Sequence, residues 1–286
     1  MSKIDAFATK QFNDWNGPSG DNWVKRQESQ DVVLAPVSAL LFAAAALNPG
    51  ERVLDIGCGC GDSTLEAARR VGSGGEVFGV DISMPMVSRA IERAARGKID
   101  ARFAVADAAD YPFAPGGYDA LISRFGVMFF PEPDKAFGNL RKALKPGGRI
   151  AFVCWQPVKS QEWMIVPLRA ALKHVPRLPE PDPDEPGPFA FADPEKVTRI
   201  LEGAGFSSPI FTPADIMLDI AAGQGFESAL ISATTIGPAS RALREASETQ
   251  RAAGIEEIRR AITPFAHGES VRLGAKPWVV TARALP

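Results

Sequence analysis

The stretch Val53–Thr64, VLDIGCGCGDST, constrains the fold of this chain more than any other segment. It opens with a short apolar run of the kind found in a buried strand, and three glycines at alternate positions follow. Glycine has no Cβ and accepts positive φ, so such a turn brings the backbone close to a ligand. A helix that begins at Asp62 or Ser63 adds unpaired N–H groups there. The pattern predicts a strand, a ligand-binding turn and a helix, as in α/β folds.

The spacing of these glycines argues against a nicotinamide-dependent oxidoreductase. The dinucleotide fingerprint is G-x-G-x-x-G. Read from Gly57 or from Gly59, its last glycine is replaced by Asp62 or by Thr64. The spacing here is instead G-x-G-x-G.

Asp55 and the glycines at 57, 59 and 61 resemble motif I of the class I S-adenosylmethionine (SAM) dependent methyltransferases. Later acids and the Lys145–Gly148 turn match that family in order, so the resemblance extends over Val32–Trp155. It implies a Rossmann-like, seven-stranded, mostly parallel sheet with an antiparallel last strand and helices on both faces. It also implies SAM as the cofactor and S-adenosylhomocysteine (SAH) as the product.

Asp81 is the strongest single candidate for cofactor binding. It ends the second predicted strand and follows Gly57 at close to the roughly 20-residue interval at which an acid meets a ribose in Rossmann-like folds. A carboxylate accepts hydrogen bonds from both ribose hydroxyls. The alternative is a cap for the next helix. The full predicted cofactor set is Asp55, Gly57, Cys58, Gly59, Gly61, Thr64, Asp81, Ile82, Met86, Asp107, Ala108, Ser123, Trp23 and Gln27.

The adenine end of this site is assigned by the same resemblance. Ile82 and Met86 follow Asp81 on one face and would sandwich the ring, although Met86 is equally suited to filling the core. Asp107 directly ends the third apolar run, so we prefer it to Asp110 as the partner of the adenine amino group. Ala108 would contribute its backbone N–H.

In related methyltransferases the N-terminal helices fold over the cofactor and substrate as a lid, here residues 1–31. Trp23 and Gln27 are one helical turn apart and would face the cofactor. The alternative for Trp23 is simple packing on the domain.

The acceptor pocket is predicted at the end of the fourth strand, where Arg124, Phe125 and Phe129 follow Ser123. Aromatic faces attract a sulfonium cation by about 0.5 to 2 kcal/mol. Arg124 would either hold a substrate anion or brace the loop. No catalytic residue is identified, and His174 and Arg124 are the two weak candidates. His174 would lie in the cap as an acid or base, and the alternative is a surface or structural histidine, because the sequence fixes no partner for it.

Four regions are predicted. The lid of residues 1–31 precedes a SAM-binding core at 32–155, and a cap with a proline-rich loop follows at 156–192. Residues 193–286 complete the core, with further cap helices inserted at 222–262. Within this region, residues 210–220 are predicted to form one strand, and residues 226–262 two helices broken near Gly237.

Composition limits the partners and the location. A net charge of −2 gives no electrostatic footprint for nucleic acid. The most apolar stretch, Val32–Leu47, is interrupted by Pro36 and is shorter than the roughly 20 residues that span a bilayer, so we expect a core helix and no membrane span. Three cysteines suit a cytoplasmic protein without disulfides. Cys58 and Cys60 lack further ligands for a metal.

These features predict a methyltransferase that modifies an oxygen, nitrogen or carbon atom of a small molecule, similar to the enzymes of ubiquinone and menaquinone biosynthesis. The phenylalanine-rich loop favours an apolar, quinone-like or polyketide acceptor by analogy. The alternative is a non-catalytic protein that binds SAM or SAH as a partner or regulator, which the long cap argues against. A homodimer stays open.

Overall fold

The computed structural model describes residues 2–177, 179, 182 and 185–286. Its strands are β1 Arg52–Ile56, β2 Glu76–Asp81, β3 Arg102–Val105, β4 Tyr118–Arg124, β5 Leu144–Trp155, β6 Ile210–Pro213, β7 Ile216–Asp219, β8 Ala266–His267, β9 Ser270–Ala275 and β10 Pro277–Arg283. Its helices are α1 Lys3–Trp15, α2 Pro18–Lys25, α3 Gln27–Ala45, α4 Asp62–Val71, α5 Met84–Gly97, α6 Pro133–Ala143, α7 Glu162–Ala171, α8 Pro194–Gly203, α9 Phe226–Thr235, α10 Gly237–Arg244 and α11 Glu248–Ile262.

A seven-stranded sheet in the order β3-β2-β1-β4-β5-β10-β6 forms the centre of the fold. Strands β1 to β5 are parallel to one another, and β10 is antiparallel to both β5 and β6. The predicted mostly parallel sheet with an antiparallel last strand is confirmed. The strand order reverses between β1 and β4, and open α/β sheets bind ligands outside the carboxyl ends of the strands at such a switch point.

Helix α3 packs across β4, β5 and β10 and closes one face of the core. Val37 and Leu41 on this helix are fully buried. It begins at Gln27, five residues before the predicted start, because the buried polar side chains of Gln27 and Gln30 hide its first turn in the sequence. Among the described residues α3 is the one helix long and apolar enough to cross a membrane, a test that core helices also pass.

The second half of the chain differs from the predicted elements. Residues 210–220 form two strands rather than one: β6 pairs with β10, while β7 pairs with β9 in a small second sheet completed by β8. Pro213 ends β6 because proline has no N–H for a ladder. Three helices occupy residues 226–262, since Ser247 forms a capping box with Gln250 and starts α11. The predicted proline-rich cap loop lies partly outside the described residues.

Candidate active site

The three glycines after β1 are each required by the backbone. Gly57, Gly59 and Gly61 have φ of 67°, 53° and 84°, a region that side chains disfavour. A Cβ on Gly57 would lie 2.5 Å from the Cα of Gly126, and one on Gly59 would lie 2.8 Å from the Cε of Met86. The loop after β1 therefore packs backbone to backbone against the loop after β4, at the switch point of the sheet.

Asp55 is a buried acid near the end of β1, two residues before Gly57, with 0% of its surface exposed. Its Oδ2 accepts hydrogen bonds from Ser63 Oγ at 2.7 Å and from Thr64 Oγ1 at 2.6 Å. Its Oδ1 is buried and has no partner among the described residues. Burial raises the pKa of Asp55 to about 6, although both hydroxyl bonds and the nearby Arg124 lower it. An orphaned buried oxygen of this kind suits a ligand that brings a donor or a positive charge.

Asp81 ends β2 and ties it to the glycine loop. Its Oδ2 accepts from the backbone N–H of Gly59 at 2.8 Å, and its Oδ1 accepts from the N–H of Ser83 at 2.9 Å. Burial raises the pKa of this carboxyl. Each carboxylate oxygen accepts more than one hydrogen bond, so both retain capacity for a ligand hydroxyl.

The turn between α1 and α2 rests directly on the loop that follows Asp81. Ser83 Oγ donates to the carbonyl of Trp15 at 2.6 Å. Asn16 Nδ2 donates to the carbonyl of Ile82 at 2.9 Å, and Asn16 Oδ1 accepts from the N–H of Met84 at 2.9 Å. The sequence marks a turn at Asn16 but carries no signal for its partners, so this contact was missed. The predicted lid helices are therefore anchored beside the candidate ribose acid.

The side chain of Gln27 forms hydrogen bonds with residues on its own helix and on α5. It is 5% exposed, and its Nε2 donates to Asp31 Oδ2 at 2.5 Å while its Oε1 accepts from Arg89 at 3.0 Å. Trp23 is half-buried and packs against the hydrophobic core. A cofactor contact for Gln27 and Trp23 stays a prediction.

The remaining predicted cofactor residues surround the loop after β1 and the neighbouring strand ends. Met86 is buried against Gly59, and Ile82 is half-buried. Asp107 is exposed just beyond β3, where its Oδ1 accepts from the N–H of Ala109 at 2.8 Å. The carbonyl of the buried Ala108 accepts from Asn139 Nδ2 at 3.1 Å. Cys58 and Cys60 are buried free thiols.

Ser123 fastens the ends of β1 and β4 together. Its Oγ donates to the carbonyl of Ile56 at 2.7 Å and accepts from the N–H groups of Gly126 at 3.1 Å and Val127 at 3.3 Å. A hydroxyl offers one donor and two lone pairs. These three bonds use the full capacity of the Ser123 side chain.

Arg124 has the contacts expected of a brace. Its side chain is 11% exposed, and its Nη1 donates to Asp62 Oδ2 and to Ser38 Oγ, each at 2.6 Å. These bonds join β4 to the first turn of α4 and to α3. Of the two predicted roles, support of the loop matches this geometry.

The aromatic residues after β4 point in two directions. Phe125 stacks on Trp155 with ring centroids 4.3 Å apart and planes 20° apart. Trp155 in turn contacts Trp163 on α7 at 5.4 Å. Phe129 meets Trp15 of α1 edge-on at 5.3 Å. Aromatic side chains thus connect the end of β4 with α7 of the predicted cap and with α1 of the predicted lid.

The methyltransferase domain family matches residues 47–205, which is more than half of the 286-residue chain. This chain belongs to that family. The match includes the glycine loop, both acids and the aromatic residues on β4 and β5. The resemblance drawn from motif I is therefore confirmed for the family and for the fold.

Relatives of this methyltransferase domain include nocamycin O-methyltransferase of Saccharothrix syringae, which is 37% identical over 136 residues, or 47% of this chain and 49% of that protein. The match spans less than half the length of the curated relatives.

Two solved structures share the fold at 18% identity. One is the YcgJ protein of Bacillus subtilis, with a TM-score of 0.56 and coverage of 87% of this chain and 98% of that one. The other is phosphoethanolamine N-methyltransferase 2 of Haemonchus contortus, in complex with phosphomonomethylethanolamine and SAH, with a TM-score of 0.58 and coverage of 100% and 61%. At this identity the likeness shows the fold alone.

His174 contacts α11 rather than the residues around the glycine loop. It is exposed beyond the end of α7, with its Nε2 3.8 Å from Glu257 Oε2 on α11. Within the described part of the chain, no group of three or more His, Cys, Asp or Glu side chains is placed to hold a metal ion.

Proposed function

We propose that this chain is a SAM-dependent methyltransferase that transfers a methyl group to an oxygen, nitrogen or carbon atom of a small molecule. The observation that carries the proposal is the pair of acids around the glycine loop, the buried Asp55 and the half-buried Asp81. Asp55 keeps an unpartnered buried oxygen at one end, and Asp81 lies beside the N–H of Gly59 at the other. Together they suit a ligand with a positive charge at one end and a sugar at the other.

The residues of the loop divide the recognition of SAM between them. Asp81 would accept the ribose hydroxyls, and Asp55 would favour the ammonium group of the methionine part through its negative charge. Ile82, Met86 and Asp107 would hold the adenine. When bound, SAM supplies a methyl group on a positively charged sulfur, which is already a good leaving group.

The protein then contributes to the reaction mainly by positioning the cofactor and the acceptor relative to each other. Alignment alone provides effective molarities of about 10⁵ to 10⁸ M. The backbone contact between the loops after β1 and β4 fixes the cofactor loop against the strand end where the aromatic residues lie. The half-buried Phe125 lies on that side, stacked on the buried Trp155, and an aromatic face favours a cation.

Two observations support a small, weakly polar acceptor. Two relatives are named for the small molecules that they methylate, nocamycin and arsenite. The strand end beside the glycine loop is lined by aromatic rings, and Arg124, a cation at that end, is committed to Asp62 and Ser38. The net charge of −2 does not favour nucleic acid. A cytoplasmic location accompanies this proposal.

Substitution of Asp81 by Ala tests the cofactor site. Hydrogen bonds to a charged group are worth about 1.5 to 3 kcal/mol each, so loss of two should weaken SAH binding by about 100-fold or more in a calorimetric titration. Asp119→Ala is the matched control, because Asp119 lies at the opposite end of β4 and pairs with Lys145. Equal affinities for the two variants would refute the assignment of Asp81.

Transfer itself is tested with SAM labelled on its methyl group, incubated with the protein and an extract of its source cells. Label in a small, organic-soluble product supports the proposal and delivers the acceptor for identification. Label in protein or nucleic acid contradicts it. SAH binding without transfer above a no-enzyme control supports the alternative of a non-catalytic SAM-binding partner.

A further inference from the structure

The indole N–H of Trp163 is a buried donor with no hydrogen-bond partner among the described residues. Trp163 stands in the first turn of α7, in the cap. Its Nε1 is fully buried and bonds no atom of the described residues. Tryptophan donates but does not accept, so a buried indole normally finds an acceptor. A donor left unpaired in a native structure calls for an explanation, such as a ligand that completes it.

Trp163 is the outer member of an aromatic file that we define as Phe125, Trp155 and Trp163. The rings of Phe125 and Trp155 are stacked 4.3 Å apart, and Trp155 meets Trp163 at 5.4 Å. The file is continuous with the glycine loop, because Gly126 follows Phe125 and packs on the backbone of Gly57. It therefore runs from the cofactor loop across the carboxyl ends of β4 and β5 into the cap.

The inner end of the aromatic file is held in a strained conformation. Phe125 has φ of 69°, which bulky residues rarely adopt. Its N–H donates to the carbonyl of Val153 at 3.1 Å, and its ring rests on Trp155, which is only 4% exposed. Strain of this kind persists where surrounding structure enforces it, and it concentrates at ligand sites.

We propose that the aromatic file is the acceptor subsite and that Trp163 Nε1 donates a hydrogen bond to an uncharged oxygen of a planar, conjugated acceptor. The inference rests on the proposed function and adds its substrate class. Trp155 is buried between Phe125 and Trp163, but these two outer rings are partly exposed, and aromatic rings favour flat rings by stacking. An indole N–H is satisfied by a carbonyl or phenol oxygen. Because Arg124 is committed to Asp62 and Ser38, the end of β4 offers no uncommitted guanidinium to a carboxylate or phosphate.

Three probes of similar size test separately the hydrogen bond from Trp163 and the preference for a flat ring. Binding of 2-naphthol, naphthalene and decahydro-2-naphthol is measured by calorimetry on the SAH-saturated protein. The wild type should bind 2-naphthol best, since naphthalene lacks the oxygen and decahydro-2-naphthol lacks the flat ring. Trp163→Phe should lower the affinity for 2-naphthol by roughly three- to tenfold, which is the effect of losing one hydrogen bond, and leave the affinity for naphthalene unchanged.

Trp278→Phe is the matched control, because the Nε1 of Trp278 already donates to the carbonyl of Ala192 at 3.2 Å. That variant should keep the wild-type ratio of 2-naphthol to naphthalene affinity. If Trp163→Phe also keeps it, or if decahydro-2-naphthol binds as well as 2-naphthol, the inference is overturned. Failure to bind SAH would instead overturn the proposed function, so the two failures are distinguishable.

A measurement on the unmodified sequence covers the case in which Trp163→Phe does not fold. The five tryptophans give five indole N–H resonances in ¹⁵N-labelled protein. On addition of 2-naphthol, the Trp163 resonance should shift downfield as its proton enters a hydrogen bond, while that of Trp278 stays in place. Absence of a Trp163 shift at saturating 2-naphthol overturns the inference.

Discussion

The two sides of the candidate site are built by different means. On the cofactor side, short hydrogen bonds to backbone groups fix Asp81, and glycines allow two loops to touch. On the acceptor side, aromatic side chains from β4, β5 and α7 stack on one another. The first side is specified by the backbone and therefore by a local motif. The second is specified by side-chain packing between distant segments, which leaves more freedom for substrate specificity to vary.

The contact between the predicted lid and the predicted cap is also made by side chains from distant segments. Arg26, between α2 and α3, donates to Thr235 Oγ1 at 3.1 Å and to Ser232 Oγ at 2.5 Å on α9. Its Nε is buried without a partner among the described residues, and burial lowers the pKa of its guanidinium. Within the described residues the side chain of Arg26 bonds only to hydroxyl groups, whereas Arg93 and Arg124 near the glycine loop pair with the carboxylates of Asp31 and Asp62.

The largest effect is expected where the two loops touch on the cofactor side. Gly57→Ala should reduce the free energy of unfolding by about 3 to 5 kcal/mol, because it adds a steric clash with Gly126 to a left-handed backbone. Urea denaturation measures this loss. Gly116→Ala is the control: its φ is also positive, at 60°, but no described atom lies within 4 Å of its Cβ position. It should lose only about 1 to 2 kcal/mol. Equal losses would show that the loops do not touch as described.

A substitution of Arg124, which lies between the two sides, tests whether this residue stabilises the fold or binds the acceptor. Arg124→Met should reduce the free energy of unfolding by about 2 kcal/mol, since the half-buried Asp62 loses its partner at 2.6 Å and keeps only the more distant Arg93, at 3.9 Å, as a charged partner. A double-mutant cycle with Asp62→Asn should show a coupling of about 1 kcal/mol or more. Unchanged stability with a loss of acceptor binding would instead restore the predicted role in holding a substrate anion.

The same division explains what the sequence could predict. The start of α4 at Asp62 and the placement of Asp81 at the end of β2 follow from glycine spacing and apolar runs, which act over a few residues. The bond from Asn16 to Ile82 joins positions that no local pattern relates. The division of residues 210–220 between two sheets was missed for the same reason, because it depends on pairing with β9 and β10.

For the site residues too, the sequence predicts the position along the chain but not the contacts of the side chain. The sequence identified Ser123 and Arg124 by their place at the end of β4, but only the structure shows that their polar groups are engaged within the protein. Trp163 carried no signal at all, since a tryptophan at the start of an apolar helix is equally typical of a core. Its unpaired N–H becomes visible only with the packing around it.

Stability should depend on pH through the buried acid of the cofactor loop. Burial raises the pKa of Asp55 from 3.8 to about 6, so between these values the folded protein binds a proton more readily than the unfolded chain. Its contribution to stability is therefore present below about pH 4 and is lost as the pH rises through 6. Asp81, whose pKa is also raised by burial, acts in the same direction.

The variant Asp55→Asn isolates the contribution of Asp55 to the pH dependence of stability. The difference in unfolding free energy between this variant and the wild type should change by about 2 kcal/mol between pH 4 and pH 7, in favour of the variant at pH 7. Urea titrations at four pH values measure it. A parallel pair of pH profiles would show that Asp55 titrates at an ordinary pKa.

The smallest effect is expected at the contact between lid and cofactor loop. Asn16→Ala removes the bonds to the carbonyl of Ile82 and the N–H of Met84, and it should weaken SAH binding by roughly three- to tenfold with little change in global unfolding. Lys10→Ala is the control on the same helix, because Lys10 pairs with the cap residue Glu185 rather than with the cofactor loop. It should leave SAH affinity unchanged, since exposed ion pairs contribute little. If Lys10→Ala weakens SAH binding as much as Asn16→Ala does, the lid acts on the cofactor through the cap, and the two sides of the site are coupled rather than separate.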